Sequence, residues 1–146
     1  MKIYSKDFKQ GEYIPRKFTC DDIDINPEII IEDIPQNAKS LVLIVDDPDA
    51  PTGIWTHWIA WNISPKIKII NQGETPAGAV EGQNDFGMIG WGGPCPPSGR
   101  PHRYFFKVFA LDRVIDLKTG ASRQDLEQAI NGYVLDQAEF FGLYKR

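Results

Sequence analysis

Two apolar runs and one alternating segment dominate the hydrophobic pattern and predict the centre of a β-sheet. Residues 41–45 are continuously apolar and rich in β-branched side chains, which is typical of a strand covered on both faces. Residues 104–111 are nearly as apolar and predict a second interior strand. Between them, residues 55–63 alternate as in a third strand. The side chains expected on one face of that strand are Trp55, His57, Ile59, Trp61 and Ile63.

Shorter strands are predicted around this centre, at Arg16–Thr19, at Glu28–Ile31 and at the extreme N-terminus. Seven residues separate Asp47 from Trp55, and so short a connection favours an antiparallel pair of the strands that it joins. The end of one strand and the start of the next then lie at the same end of the sheet. We therefore expect the side chains of residues 47 and 57 to lie close together.

The helical pattern is confined to the C-terminal part of the chain. Ser122 and Asp125 have the spacing of a capping box, and residues 126–130 carry apolar side chains at helical spacing. Gly132 is expected to end this helix, and Tyr133–Tyr144 is predicted to form a second one. Because strands precede helices without βα alternation, the predicted class is mainly β (α+β).

Composition and charge narrow the classes of partner. The 146 residues are 42% hydrophobic and 25% charged, which predicts one globular domain over residues 1–146. A net charge of −4 without a basic run argues against nucleic acid, because phosphate backbones require a basic surface. No segment reaches the roughly 20 apolar residues of a membrane span, and no signal peptide is visible. We expect a cytoplasmic protein.

The chain has two cysteines, Cys20 and Cys95, far apart in sequence. They cannot make a metal site of their own. Reduced thiols are expected for a cytoplasmic chain, and one disulfide is the alternative if the fold brings the two residues together.

Polar residues at two places in the chain suit a binding site. The sequence Asp47-Pro48-Asp49 follows the first apolar run. Asp and Pro are common in ordinary turns, but the expected proximity of His57 favours a functional role for this turn. Between residues 90 and 104 there are four glycines and four prolines, which indicates a shaped loop whose amides can approach an anion. His102 lies on the strand that follows. Residue 104 shares its side of the strand, and Arg103 is expected on the other side, in a structural ion pair.

Together these motifs resemble the short bacterial and archaeal branch of the phosphatidylethanolamine-binding protein (PEBP) family. Motifs near both ends match as well, so the resemblance covers essentially the whole chain. It implies a large antiparallel sheet packed on a smaller one, with helices alongside, and a pocket at the sheet end that binds phosphate, phosphoethanolamine or a phospholipid headgroup. The segments that carry it are Phe18–Asp21, Asn26-Pro27, Asp47–Pro51, Trp55–Trp58, Gly93–Gly99, His102–Tyr104 and Ala138–Tyr144. The ligand-binding residues that it implies are Asp47, Ala50, Pro51, Trp55, His57, Pro97, His102 and Tyr104.

The sequence favours regulatory anion binding without catalysis, metal or cofactor. Two imidazoles suit a phosphate monoester, which carries nearly two negative charges, and Asp47 would orient a histidine by accepting its hydrogen bond. Each histidine pKa should rise when the anion binds, so affinity should fall between about pH 6 and 8.

Three alternatives remain open. The family includes protease and kinase inhibitors, so a protein partner is one. An ester or phosphoester hydrolase is the second, either through an aspartyl-phosphate or through a Ser98–His102–Asp47 triad. The third concerns the C-terminal aromatics, which are expected to pack in the core. They could alternatively close the pocket or form a homodimer face. These aromatics are Phe140, Phe141 and Tyr144.

Overall fold

A computed structural model describes all residues from 1 to 146. It contains eight strands and one α-helix, and a short 3-10 helix covers Arg16–Phe18. The elements in chain order are β1 (Lys2–Tyr4), β2 (Ile29–Glu32), β3 (Ser40–Asp47), β4 (Trp55–Ile63), β5 (Ile69–Ile70), β6 (Val80–Glu81), β7 (His102–Leu111), α1 (Arg123–Ile130) and β8 (Val134–Tyr144).

The strands form two antiparallel sheets, as predicted. The large sheet has the order β6-β4-β3-β7-β8, and the small sheet has the order β1-β2-β5. Strand β3 lies at the centre of the large sheet, and every residue in it is buried, which explains its continuous apolar sequence. The short connection after β3 does join it to an antiparallel neighbour, with Asp47 paired to Trp55.

The large sheet is covered on both faces. One face packs against the small sheet, and the core there includes Ile31, Val45 and Phe106. The other face packs against α1, where Leu126 and Ile130 are buried. The capping box at the start of α1 is present, and no helix is long and apolar enough to cross a bilayer.

The predicted second helix is wrong, because residues 134–144 form β8. This strand pairs with β7 along its whole length, from Leu111 opposite Val134 to His102 opposite Tyr144. Its inward side chains repeat every second residue, and Phe140 is buried in the core. A Cβ on Gly142 would lie 2.6 Å from core side-chain atoms, so the strand has room there only for glycine. Because Phe140 and Phe141 are adjacent, the sequence does not show the apolar/polar alternation that is typical of a strand.

The strand predicted at Arg16–Thr19 is also wrong. Pro15 is the N-cap of a turn of 3-10 helix there, and its carbonyl accepts a hydrogen bond from the Phe18 N–H at 3.1 Å. The Thr19 hydroxyl donates to the Arg16 carbonyl at 2.8 Å, which closes the turn. This segment therefore adds no strand to either sheet.

Candidate functional site

A cavity of about 260 Å³ lies at one end of the large sheet. Strand β3 ends there, β4 and β7 begin there, and the loop before β7 forms one wall. All eight predicted site residues line it: Asp47, Ala50, Pro51, Trp55, His57, Pro97, His102 and Tyr104. Four further lining residues were not predicted: Thr52, Phe86, Cys95 and Pro96.

A larger and more open groove, of about 1010 Å³, borders the small sheet. Its charged side chains, four lysines and two acids, are all exposed. It contains none of the buried titratable groups that mark the smaller cavity. We therefore place the candidate site in the smaller cavity.

The Asp47 carboxylate faces a histidine rather than solvent. The residue is 3% exposed, and its Oδ2 lies 2.6 Å from His102 Nδ1. Its Oδ1 accepts a hydrogen bond from the Asp49 backbone N–H at 2.7 Å. This pairing places the His102 proton on Nδ1 and leaves Nε2 without a protein partner.

A β-bulge directs His57 to the same cavity. Consecutive residues of β3 pair with Trp58 and Thr56, so His57 is an extra residue that the ladder skips, and a bulge of this kind re-aims side chains. The His57 ring centroid lies 5.2 Å from that of Tyr104. Trp58 packs in the same core cluster as Tyr104, so two successive side chains of β4 point to one face.

The bulge corrects the predicted alternation of β4. Trp55 and His57 line the cavity, but Ile59 and Trp61 lie on the opposite face, against α1. Ile63 lies with the small-sheet core, after a second irregularity in the ladder. A strict period of two therefore misplaces two of the five side chains, Ile59 and Trp61.

His57 is fixed by its backbone neighbour. Its Nδ1 lies 2.6 Å from the Gly92 carbonyl oxygen, to which it donates, and the residue is 3% exposed. Burial lowers the pKa of His57, although this hydrogen bond and the Asp47 carboxylate oppose the shift. The ring is therefore neutral at pH 7, and its Nε2 can accept a hydrogen bond. The predicted rise of the His57 pKa on anion binding would therefore start from a neutral ring.

Tyr104 lies between the two histidines. Its ring meets His57 edge-on and stacks on His102 at a centroid distance of 6.4 Å. The residue is 1% exposed, and its hydroxyl has no hydrogen-bond partner in the protein. Burial raises the pKa of Tyr104, and the carboxylates of Asp47 and Asp49 raise it further. The hydroxyl thus stays protonated and available as a donor.

The predicted ion pair of Arg103 is confirmed. Its Nε and Nη2 donate to the two carboxylate oxygens of Asp49, both at 2.9 Å, and its backbone N–H also donates to Asp49 at 2.9 Å. The side-chain hydrogen bond from Arg103 lowers the pKa of Asp49. The guanidinium is therefore engaged away from the cavity, and no lysine or arginine lines the cavity.

Asp46, the residue before the site, serves the other face of the sheet. It is 1% exposed, and its Oδ2 lies 3.0 Å from Lys107 Nζ and 2.7 Å from an Nη of Arg123. Neighbouring residues of a strand point to opposite faces. The two adjacent aspartates of β3 therefore have separate roles, one in the cavity and one beside α1.

Phe86 completes an aromatic wall that the sequence analysis missed. Its ring centroid is 5.5 Å from that of Trp55 and 5.5 Å from that of His57. Asn84 shapes its loop, because the Asn84 Oδ1 accepts hydrogen bonds from the backbone N–H groups of Phe86 and Met88. The short-range pattern Asn-Asp-Phe-Gly is a turn signal, but nothing local indicates that the turn reaches β4.

The glycines before β7 do not present an anion nest. The Gly92 N–H donates to the His57 carbonyl at 3.0 Å, and the Gly93 N–H donates to Asp24 Oδ1 at 2.9 Å. A Cβ on Gly93 would collide with Asp24 and with the Phe18 carbonyl. These glycines instead allow the wall to pack closely against the segment around residue 20.

Cys20 and Cys95 form a disulfide, so the expectation of reduced thiols is wrong and its alternative holds. The fold places the loop before β7 beside the 3-10 helix, with the two Cα atoms 5.5 Å apart. Because 75 residues separate the two cysteines in sequence, no local pattern could predict this contact. The pairing gives the cavity wall a covalent anchor.

Comparisons with solved structures agree with this architecture. The crystal structure of the Chlamydia trachomatis protein CT736, a PEBP homologue, superposes with a TM-score of 0.95 at 39% identity, covering 99% of this chain and 97% of that one. The structure of E. coli YbcL, described as a member of the mammalian PEBP family, gives a TM-score of 0.93 at 31% identity, covering 99% and 98%.

Comparisons of sequence point the same way. A UPF0098 protein of Pyrococcus horikoshii is 53% identical over 146 residues, which cover 95% of this chain and 74% of that protein. A UPF0098 protein of Aquifex aeolicus is 50% identical over 152 residues, covering 100% and 89%. The family model for phosphatidylethanolamine-binding protein matches residues 4–145. With the sheets, the cavity and these matches in agreement, the chain belongs to the phosphatidylethanolamine-binding protein family.

Proposed function

We propose that the cavity binds a small phosphate-like anion, such as inorganic phosphate or a phosphoethanolamine headgroup, without transforming it. The observation that carries the proposal is the pair of histidines in one cavity. Each has its Nδ1 held by the protein, at 2.6 Å from Gly92 O in His57 and at 2.6 Å from Asp47 Oδ2 in His102. Each therefore has its Nε2 left for a ligand.

The net charge of the complex depends on how many protons the anion and His57 carry. No arginine or lysine lines the cavity, and burial lowers the pKa of His57. A phosphate monoester has its second pKa near 6. Its monoanion can donate a P–O–H hydrogen bond to the neutral His57 Nε2; the dianion would instead bind together with a proton taken up by the ring. In both cases the complex holds a proton that the free components lose as pH rises.

The sign of the pH dependence follows from this proton. Binding accompanied by uptake of one proton weakens as pH rises, by about tenfold per pH unit once the free components are deprotonated. The affinity should therefore fall between about pH 6 and pH 8. The Tyr104 hydroxyl does not contribute to this dependence, because it remains protonated over the whole range.

The remaining walls suit the organic part of such a ligand. Trp55 and Phe86 meet edge-on at 5.5 Å and form an aromatic side of the cavity. An ammonium group against an aromatic face gains about 0.5–2 kcal/mol. Phosphoethanolamine should accordingly bind at least as tightly as inorganic phosphate.

Nothing in the cavity favours the two alternative functions. Ser98, the nucleophile of the imagined triad, is exposed and does not line the cavity. The Asp47 carboxylate is committed to His102 and to a backbone amide, which leaves no free nucleophile. A protease or kinase inhibitor would need a partner surface, and the cavity residues select none.

Calorimetric titration tests the proposal. Phosphate, phosphoethanolamine and sulfate are titrated at pH 6, 7 and 8, each in two buffers of different ionisation enthalpy to count the protons taken up. Sulfate brings no proton of its own in this range, so its binding isolates uptake by the protein. We expect affinity for all three to fall with pH; no binding, or a flat profile, would contradict the proposal.

Two variants assign the effect to the histidines. His57→Asn can keep a hydrogen bond to the Gly92 carbonyl while removing the ligand-facing nitrogen and the titration. His102→Asn likewise removes a ligand-facing nitrogen and can keep a hydrogen bond to Asp47. We expect each variant to fold and to lose at least tenfold in affinity, since a hydrogen bond to a charged group contributes about 1.5–3 kcal/mol.

A further inference from the structure

The wall that residues 92–97 form, in the loop before β7, carries the disulfide. Cys95 lines the cavity with Pro96 and Pro97, and its partner Cys20 follows the 3-10 helix. Both cysteines are partly exposed, as attack by a thiol reagent requires. The disulfide is thus a reactive group at the edge of the candidate site.

The same wall fixes one of the two histidines. The Gly92 carbonyl accepts the hydrogen bond of His57 Nδ1, and the Gly92 N–H donates to the His57 carbonyl at 3.0 Å. Only two residues lie between Gly92 and Cys95, and one of them is Pro94, whose ring fixes its φ. A displacement of Cys95 is therefore transmitted to the hydrogen bond that sets the His57 tautomer.

Non-covalent interactions also hold the wall, and Gly92, Gly93, Pro94 and Pro96 are buried. Cys20 N–H donates to the Pro94 carbonyl at a distance of 3.2 Å, and Asp24 accepts from the Gly93 N–H at 2.9 Å. Beyond residue 96 the chain is exposed as far as Pro101. The disulfide is the only covalent cross-link between this wall and a segment distant in sequence.

We propose that the Cys20–Cys95 disulfide is a redox-reversible clamp on the anion site, with high affinity in the oxidised form and low affinity in the reduced form. The inference rests on the anion binding proposed above. Reduction frees residues 92–97 from their covalent anchor, and the ligand must then order this wall when it binds. Ordering a single residue is enough to weaken binding by about tenfold.

The co-reactant is a dithiol, and the exchange has a preferred direction. A thiolate of the dithiol attacks Cys20 Sγ, the S–S bond breaks, and Cys95 Sγ leaves with the electron pair as a thiolate. An Nη of Arg146 lies 3.7 Å from Cys95 Sγ, and this guanidinium, which also pairs with Asp21 at 3.1 Å, places positive charge beside the leaving group.

The second thiol of the reagent then completes the exchange. It attacks the reagent's own sulfur in the mixed disulfide, which releases Cys20. The reagent becomes a cyclic disulfide, having lost two electrons and two protons. The two cysteines gain both electrons and, once protonated, are thiols.

Thermodynamic linkage between disulfide reduction and anion binding provides a test that a merely structural disulfide would not pass. If reduction weakens anion binding tenfold, saturating anion must make the disulfide ten times harder to reduce. For a two-electron couple this factor corresponds to about 30 mV. A disulfide that only stabilises the fold, without coupling to the cavity, shows no such shift.

The experiment uses the intact wild-type chain at pH 6.5. Phosphate and phosphoethanolamine are titrated into the oxidised protein and into protein reduced with dithiothreitol, and the disulfide is equilibrated in dithiothreitol redox buffers with and without 10 mM of each anion. We expect reduction to weaken binding at least tenfold and the anion to lower the disulfide's midpoint potential. Equal affinities, or an unchanged midpoint with anion bound, overturn the clamp.

Two variants separate the clamp from general destabilisation. The double variant C20S/C95S should reproduce the weak binding of the reduced protein. Leu126→Ala, in the core beside α1, loses stability without touching the cavity and should bind the anion normally. Normal binding by the folded double variant, or equally weak binding by Leu126→Ala, would count against the proposal.

Amide exchange keeps the two proposals distinguishable. If the oxidised protein binds neither anion, the proposed function fails. Amide exchange in residues 92–97 then tests separately whether the disulfide holds the wall in place. We expect protection at Gly92 and Gly93 to fall at least tenfold on reduction. Unchanged protection there would show that the wall does not need its disulfide.

Discussion

Replacing Tyr104 with phenylalanine should stabilise the free protein and weaken anion binding. The Tyr104 residue is 1% exposed, and its hydroxyl lacks a hydrogen-bond partner in the protein. A buried polar group without a partner costs about 1–3 kcal/mol. Removing it should therefore raise the free energy of unfolding, while anion binding should lose the hydrogen-bond donor that we assign to Tyr104.

The two effects have opposite signs and similar sizes. Because the hydroxyl borders a cavity rather than solid packing, we take the lower limit, about 1 kcal/mol of added stability, which corresponds to about 3 °C in Tm. A hydrogen bond to a charged ligand contributes about 1.5–3 kcal/mol. Tyr104→Phe should thus weaken anion binding by at least a factor of about ten.

Urea denaturation and calorimetric titration measure the two effects on the same preparation. The matched control is Tyr144→Phe, because the Tyr144 hydroxyl donates to Asp21 Oδ2 at 2.5 Å and lines no part of the cavity. That control should lose about 1 kcal/mol of stability and bind the anion normally. A destabilised Tyr104→Phe variant with normal affinity would refute the assignment of this hydroxyl to the ligand.

Three further substitutions test other parts of the structure. Asp47→Asn should lower anion affinity about tenfold at pH 7, because His102 loses its charged partner; titration calorimetry showing unchanged affinity would exclude that role. Arg123→Met should lower the free energy of unfolding by about 3 kcal/mol, because it leaves the Asp46 carboxylate underpaired in the core. Urea unfolding of the double variant Arg123→Met/Asp46→Asn should show that much of this loss is restored. Gly142→Ala places a Cβ 2.6 Å from core side chains and should cost about 1–3 kcal/mol; an unchanged Tm would show that β8 can shift.

The sequence predicted the centre of the fold because local rules decide it. The apolar run of β3 and the short connection to β4 specify an antiparallel pair, and that pair brings Asp47 and His57 to the same end of the sheet. The capping box of Ser122 and Asp125 likewise depends on a few neighbouring residues. Predictions of this kind need no knowledge of distant segments.

The errors arose where distant segments decide the structure. Residues 134–144 contain adjacent aromatics that fit a helix as well as a strand, and only pairing with β7 selects the strand. The disulfide depends on a contact between loops 75 residues apart. The neutral state of His57 follows from burial beneath Phe86 and the wall at Gly92, which no local pattern shows.

The strands and the β3–β4 connection contribute different parts of the cavity: the strands carry Asp47, His57 and His102, and the connection lines the mouth. Both histidines and Asp47 lie on strands of the large sheet, which positions their backbones at one end of it. Ala50, Pro51 and Thr52 line the mouth from the β3–β4 connection, which is not part of the ladder. The connection could therefore be lengthened or exchanged to admit bulkier molecules while Asp47, His57 and His102 keep their places on the strands, which offers a route to engineered receptors.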